Sequence, residues 1–300
     1  VPPNPPKLAF IGFGEAAQAF TRGLRQEMAT LAISAFDIKT DGPEAAAKRA
    51  DYTAANVQGA ESSATATLGA DLIFSLVTAD QAEAAAKAAA CCDLDGALYL
   101  DGNSCAPDAK RRAAQTIKGA GGRYVDLAIM TPVQPHLHKS PCLLAGPDAQ
   151  AAQEITRALG METKLAGQDI GAASTRKMVR SIMIKGLEAL TLECFLAARQ
   201  AGVEHHILAS LETSFPGFDW PTRAPYMIER SLTHGLRRAA EMREVAQTVT
   251  DLGLDPLMAT ATAARQQQMG DLGLDAASIG TDNLAALTDA ILAALAAEQP

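Results

Sequence analysis

Residues 8–17 read Leu-Ala-Phe-Ile-Gly-Phe-Gly-Glu-Ala-Ala, and this stretch limits the fold more than any other. Four apolar residues suited to a buried strand run into Gly12-Phe13-Gly14-Glu15-Ala16-Ala17, where a helical pattern begins. Gly12 permits a tight turn, Gly14 lets a ligand approach the backbone, and Ala17 lets the helix pack close on the strand. A helix starting there offers free N–H groups and its positive dipole end, which suits a pyrophosphate. The next apolar run, Leu31–Phe36, ends at Asp37, 20 residues past Ala17. An acid at that distance is placed to accept hydrogen bonds from a ribose. Together these features predict a dinucleotide-binding βαβ unit; a strand–helix turn with no ligand is the plainer alternative. A carboxylate at Asp37 repels a 2′-phosphate, so the expected cofactor is NAD, with NADP left open by Lys39 two residues on.

The alternation continues over residues 7–165. Strand candidates are 7–11, 32–36, 55–58, 71–77, 97–100 and 123–127, with weaker ones at 142–145 and 161–165. Helical stretches lie between them at 15–28, 42–50, 79–90, 106–118 and 148–159. Such a pattern predicts an α/β fold with a doubly wound parallel sheet and helices on both faces. The strand signal stops after residue 168, and helices are predicted at 171–200, 203–213, 222–231, 234–252, 255–269 and 281–297. The predicted division is therefore residues 1–167 and an all-α domain, 168–300.

Composition removes several classes of function. A net charge of −8 disfavours general binding to nucleic acid or to an anionic membrane. An aromatic content of 4% argues against a base-stacking platform. No apolar run is long enough to span a bilayer. The lead-in Val1-Pro-Pro-Asn-Pro-Pro6 lacks the features of a secretory signal and reads as disordered. Cys91, Cys92, Cys105, Cys142 and Cys194 form no CxxC pair and read as reduced thiols, so the expected compartment is cytoplasmic.

The long helix opens Gly171-Ala-Ala-Ser-Thr-Arg-Lys177-Met-Val-Arg180-Ser181 and is apolar on almost every face, which predicts burial all round. Lys177, Arg180 and Ser181 stand at i, i+3 and i+4 and can reach one cavity. A lysine there can take a proton from an alcohol and return it to a carbonyl; a surface or phosphate-facing lysine is the alternative. Asn103 and Ser104 follow a strand at its carboxyl end, where they either contact ligand or cap the next helix. His136-x-His138 and His205-His206 are incomplete as metal sites, and no metal is expected. His234, Arg238 and Glu241 share a helix face, either as a salt-bridged surface or as a substrate-carboxylate contact. The aromatics of Phe215–Trp220 suit packing between helices better than a lid.

The chain resembles the β-hydroxyacid dehydrogenase superfamily, which includes 3-hydroxyisobutyrate and 6-phosphogluconate dehydrogenases. Four motifs carry the resemblance: the Gly12-x-Gly14 turn with Asp37; Ser75-Leu-Val77-Thr78; Asp101-Gly-Asn103-Ser104; and Gly171-(x)5-Lys177. It implies a Rossmann domain followed by a helical one, with the site in the cleft between them. It also implies Val77 and Thr78 beside the cofactor, Lys177 as acid/base, and a homodimer through the helical domains. Four departures point to a sparsely characterised branch, one of them Glu15 inside the glycine turn, where a carboxylate near a pyrophosphate must point away. Ser181 replaces the usual Asn. The small-residue substrate loop becomes Met130-Thr131-Pro132. The late Lys-Asp-Leu segment becomes His234-Gly-Leu-Arg237-Arg238. Met130, Thr131, Arg180, Ser181 and Arg238 are the expected substrate contacts. The loop change predicts a bulkier, less polar substrate, because proline removes an N–H donor and methionine supplies an apolar wall. The expected activity is NAD(P)-dependent interconversion of a hydroxy compound and its carbonyl. An imine-reductase-like enzyme and a non-catalytic NAD(H)-binding regulator are the alternatives.

Overall fold

A computed structural model describes residues 5–297, so the first four residues of the proline-rich lead-in lie outside the described residues. The strands are β1 (Leu8–Ile11), β2 (Ile33–Phe36), β3 (Gln58–Gly59), β4 (Leu72–Ser75), β5 (Leu98–Asp101), β6 (Arg123–Ile129), β7 (Cys142–Ala145) and β8 (Thr163–Gly167). Between them run α1 (Glu15–Glu27), α2 (Ala45–Ala54), α3 (Ser63–Thr67), α4 (Ala82–Ala89), α5 (Pro107–Gly119) and α6 (Ala149–Ala158). Two short helices that sequence periodicity does not mark are α3 and, late in the chain, α11 (Ala276–Ile279).

 Both are single turns, α3 capped by the Ser62 hydroxyl and α11 by the Asp275 carboxylate, and turns this short carry no periodic signal. The remaining helices are α7 (Ala172–Gln200), α8 (Glu204–Ser214), α9 (Trp220–Asp251), α10 (Leu257–Asp271) and α12 (Leu284–Ala297).

The sheet order is β3-β2-β1-β4-β5-β6-β7-β8. All neighbours run parallel except β6 and β7, which pair antiparallel, so the doubly wound parallel sheet predicted from sequence is present with one reversal, between β6 and β7. The 12 residues between β6 and β7 hold only the short turn Leu137–Lys139 and no crossover helix, so the chain turns straight back. Alternate residues of β1 enter different cores: Leu8 and Phe10 pack with Phe20 and Leu24 of α1, while Ala9 and Ile11 pack with residues of α4 and α5. Helices therefore cover both faces, and β1 and β4 are buried along their whole length. The chain leaves β1 toward β2 on one side and returns to β4 on the other, which makes the carboxyl ends of β1 and β4 the switch point where such sheets bind ligands.

The chain divides into two compact units, one ending at Met178 and one beginning at Val179. The strands stop at Gly167, but the first unit keeps the opening of α7 and with it Lys177. In the second unit, α7 is not buried all round, contrary to the expectation from its composition. Val179, Met183, Ile184 and Leu190 are exposed, while Leu192, Phe195 and Leu196 enter a core with Trp220, Ile228, Met269 and Leu287. The two helices predicted at 222–231 and 234–252 are one, α9. The Phe215–Trp220 aromatics pack on one another, with Trp220 in the helical core.

Candidate active site

Gly12 ends β1 with φ of +81°, a conformation that favours glycine, and a Cβ there would meet the Leu76 carbonyl oxygen at 2.5 Å. Gly14 is the N-cap of α1, which has no side-chain cap, and a Cβ on Gly14 would meet nothing within 4 Å. The first-turn N–H groups thus have an open approach, as a pyrophosphate requires. Ala17 is buried, Ala16 is half-buried, and the Glu15 side chain is exposed at the first turn.

Asp37 follows β2 and braces this turn from the side. Its Oδ2 accepts the Phe13 N–H at 2.7 Å, and its Oδ1 accepts the Lys39 N–H at 3.0 Å. The Phe13 carbonyl is held from the opposite direction by Lys48 Nζ (2.9 Å) and Gln18 Nε2 (3.1 Å), both of which also bind Asp51. The Phe13 ring packs on Tyr52, whose hydroxyl burial and the nearby Asp37 push up to about 12. Lys39 pairs with Glu44 at 2.8 Å on the surface. The residues present fit a dinucleotide: glycines at the turn, a helix start with no side-chain cap beyond it, and a carboxylate at the end of the neighbouring strand β2.

Asn103 and Ser104 follow β5. Asn103 is buried; its Oδ1 accepts the Val77 N–H at 2.7 Å and its Nδ2 donates to Ser75 Oγ at 2.9 Å. Its amide therefore joins the ends of β4 and β5 and sets the course of Val77-Thr78. Ser104 is half-buried, and Lys177 Nζ donates to its Oγ at 2.7 Å. A hydroxyl and an amine 73 residues apart in the chain thus meet at the carboxyl edge of the sheet. Beneath them lie fully buried charges. Lys110 Nζ donates to Asp101 Oδ1 at 2.8 Å and lies 3.6 Å from Asp126 Oδ1. Burial works against the Lys110 charge, but the Asp101 and Asp126 carboxylates outweigh it and raise the lysine above its ordinary range. Burial and then Asp101 push the Tyr124 hydroxyl far up, and it donates to Asp101 Oδ2 at 2.7 Å. Nothing local in the sequence marks this cluster.

Met130 packs against Ala128, Ala145, Ala166 and Ala173, beside the start of α7, and Thr131 is half-buried next to it. Burial pushes the Cys142 thiol up to about 12, against the opposing charge of Lys177 nearby. Within the second unit Arg180 is exposed and Ser181 is buried. Arg238 is buried and paired with Glu188, and Lys185 pairs with Glu241. The Arg238 guanidinium is thus committed to a partner on α7. His136, His205 and His206 are exposed, while His138 is buried against Gly23 of α1.

Comparison with known proteins gives the same picture at the level of family. The model of the NAD binding domain of 6-phosphogluconate dehydrogenase matches residues 7–167. A domain of unknown function, DUF1932, matches residues 198–269. A conserved hypothetical protein from Sinorhizobium meliloti 1021 is 37% identical, with 96% of this chain and 97% of that one covered and a TM-score of 0.71. A conserved protein of unknown function, described as structurally similar to 3-hydroxyacid dehydrogenases, is 28% identical over 88% of this chain and 97% of its own, with a TM-score of 0.67. An uncharacterized 28.5 kDa protein of Methanothermus fervidus is 28% identical over 165 residues, 55% of this chain; the match spans 63% of that protein's length. At the level of fold alone, a Mycobacterium tuberculosis 3-hydroxyisobutyrate dehydrogenase is 14% identical, with 95% of this chain and 99% of that one covered and a TM-score of 0.71. A reductive aminase from Aspergillus terreus in complex with NADPH is 18% identical, with 95% and 99% covered and a TM-score of 0.57.

Proposed function

Because the chain belongs to the family of the NAD binding domain of 6-phosphogluconate dehydrogenase, we propose that it is an NAD(P)-dependent oxidoreductase interconverting a hydroxy compound and its carbonyl. The observation that carries this reading is the Lys177 amine donating to Ser104 Oγ at 2.7 Å, on the carboxyl edge of a sheet whose glycine turn fits a dinucleotide. Gly12, Phe13, Gly14, Glu15, Ala16 and Ala17 would hold the pyrophosphate through backbone N–H groups, and Asp37 the ribose hydroxyls. Val77 and Thr78, set by Asn103, would lie along the rest of the cofactor. The nicotinamide, when bound, supplies or accepts the hydride.

The proton is the protein's share of the chemistry. In the reducing direction the Lys177 ammonium gives a proton to the oxygen that gains charge; in the oxidising direction its neutral amine takes that proton from the alcohol. Ser104, hydrogen-bonded to Lys177, shares the same substrate oxygen and orients the amine. Asn103 acts through Val77, whose N–H its side chain holds. Asp37 and the tied-down Lys39 favour NAD over NADP. Met130 and Thr131 would face an apolar part of the substrate, and Arg180 a carboxylate. We expect a bulkier, less polar hydroxy or keto compound to be preferred to glycerate-like or phosphorylated sugar acids.

A panel of ketones, keto acids, hydroxy acids and imines with NADH and NADPH tests this reading. Turnover of a carbonyl or alcohol in preference to every imine is the expected result. Best turnover of tartronate semialdehyde or 6-phosphogluconate would contradict the substrate argument. Tight NADH binding with no turnover of any compound would favour the regulator.

A further inference from the structure

Asp101 and Asp126 are direct partners in the β5–β6 register, and both side chains are fully buried. Two carboxylates side by side without water repel strongly, and a cation is needed to hold them there. Lys110 of α5 supplies it. Its ammonium donates to the Asp101 carbonyl oxygen at 2.6 Å and to Oδ1 at 2.8 Å, and lies 3.6 Å from Asp126 Oδ1. Each carboxylate has a second task. Asp101 Oδ1 accepts the Asn103 N–H at 3.0 Å, which fixes the loop carrying Ser104. Asp126 Oδ2 accepts the N–H groups of Gly171 (3.1 Å), Ala173 (3.1 Å) and Ser174 (3.0 Å), which fixes the start of the helix carrying Lys177. Lys177 lies one turn beyond Ala173 and reaches Ser104, so the contacts form a closed circuit through Lys110.

We propose that Lys110 is a positioning residue: by joining Asp101 to Asp126 it holds the Ser104 hydroxyl and the Lys177 amine within hydrogen-bond reach of each other. Lys110 itself is fully buried beneath the site, and its effect passes through the two carboxylates. The consequence for turnover rests on the oxidoreductase reading above; the register itself does not.

The register is measurable without a substrate. Lysine amines of the full chain are methylated with a 13C label, and the Lys177 resonance, assigned by its loss in Lys177→Arg, is followed against pH. The effect of Ser104→Ala on its titration midpoint is measured twice, in the wild-type background and in Lys110→Met. This cycle cancels the long-range effect of removing the Lys110 charge. The expected result is a shift of about half a pH unit or more on Ser104→Ala in the wild type, and no shift in Lys110→Met. The same shift in both backgrounds overturns the proposal, as does the lack of a shift in the wild type. If Lys110→Met does not unfold cooperatively on heating, Asp126→Asn takes its place in the cycle, since its carbonyl keeps the helix contacts while the charge is lost. Failure of every substrate leaves this outcome unaffected, so the two readings stand or fall separately.

Discussion

At the scale of single residues, Asp37 has two roles. It braces the glycine turn through the Phe13 N–H and is the acid expected to meet the ribose. Asp37→Asn keeps one acceptor oxygen and loses the charge. Hydrogen bonds to a charged group contribute about 1.5–3 kcal/mol, so NADH affinity should fall by about 10-fold or more, with NADPH affected less. Calorimetric titration with both cofactors checks this, and an unchanged NADH-to-NADPH ratio would remove Asp37 from the ribose site. The glycine turn and Asp37 were legible in the sequence because their geometry depends on short, fixed spacings. Lys177 and Ser104 were legible through family resemblance, each on its own motif. Lys110 was not. It stands in the basic run Lys110-Arg111-Arg112, and only the fold shows that Arg111 and Arg112 go to the surface while Lys110 is buried. Arg238 was open to two readings because its partner, Glu188, lies on another helix.

At the scale of elements, α9 and α10 pack backbone against backbone where Gly235 faces Gly270. A Cβ on Gly235 would meet the Gly270 nitrogen and the Gln266 carbonyl oxygen, each at 2.6 Å. Backbone cannot yield as a side-chain tip can. Gly235→Ala should therefore cost about 1–3 kcal/mol in urea unfolding, despite the helix propensity of alanine. A neutral or stabilised variant would contradict the close packing. The turn Leu137–Lys139 offers a second test. His138 is buried there, neither ring nitrogen has a hydrogen-bond partner among the described residues, and burial, then Lys139, lower its pKa while Glu27 opposes them. The unfolded chain binds a proton near pH 6.5, and the folded chain does so only at lower pH. Stability should thus fall as pH drops below about 6.5. Urea unfolding across that range should lose less stability in His138→Gln than in the wild type; equal losses would contradict the assignment.

At the scale of the whole molecule, no helix among the described residues is long and apolar enough to cross a membrane. The exposed Val179, Met183, Ile184 and Leu190 on α7 support the expected pairing of two copies through their helical units. Light scattering at micromolar concentration should give a dimer, and Met183→Lys should shift it toward monomer; a wild-type chain that stays monomeric would end this part of the account. The central claim is that Lys177 moves the proton that accompanies hydride transfer. Its most direct test follows deuterium from 4-deuterated NADH or NADPH to the carbonyl carbon of the best substrate, in the wild type and in Lys177→Met. The account predicts label at that carbon in the wild type and transfer slowed by about 100-fold or more in the variant. Transfer at the wild-type rate in Lys177→Met, with label at the same carbon, would contradict it.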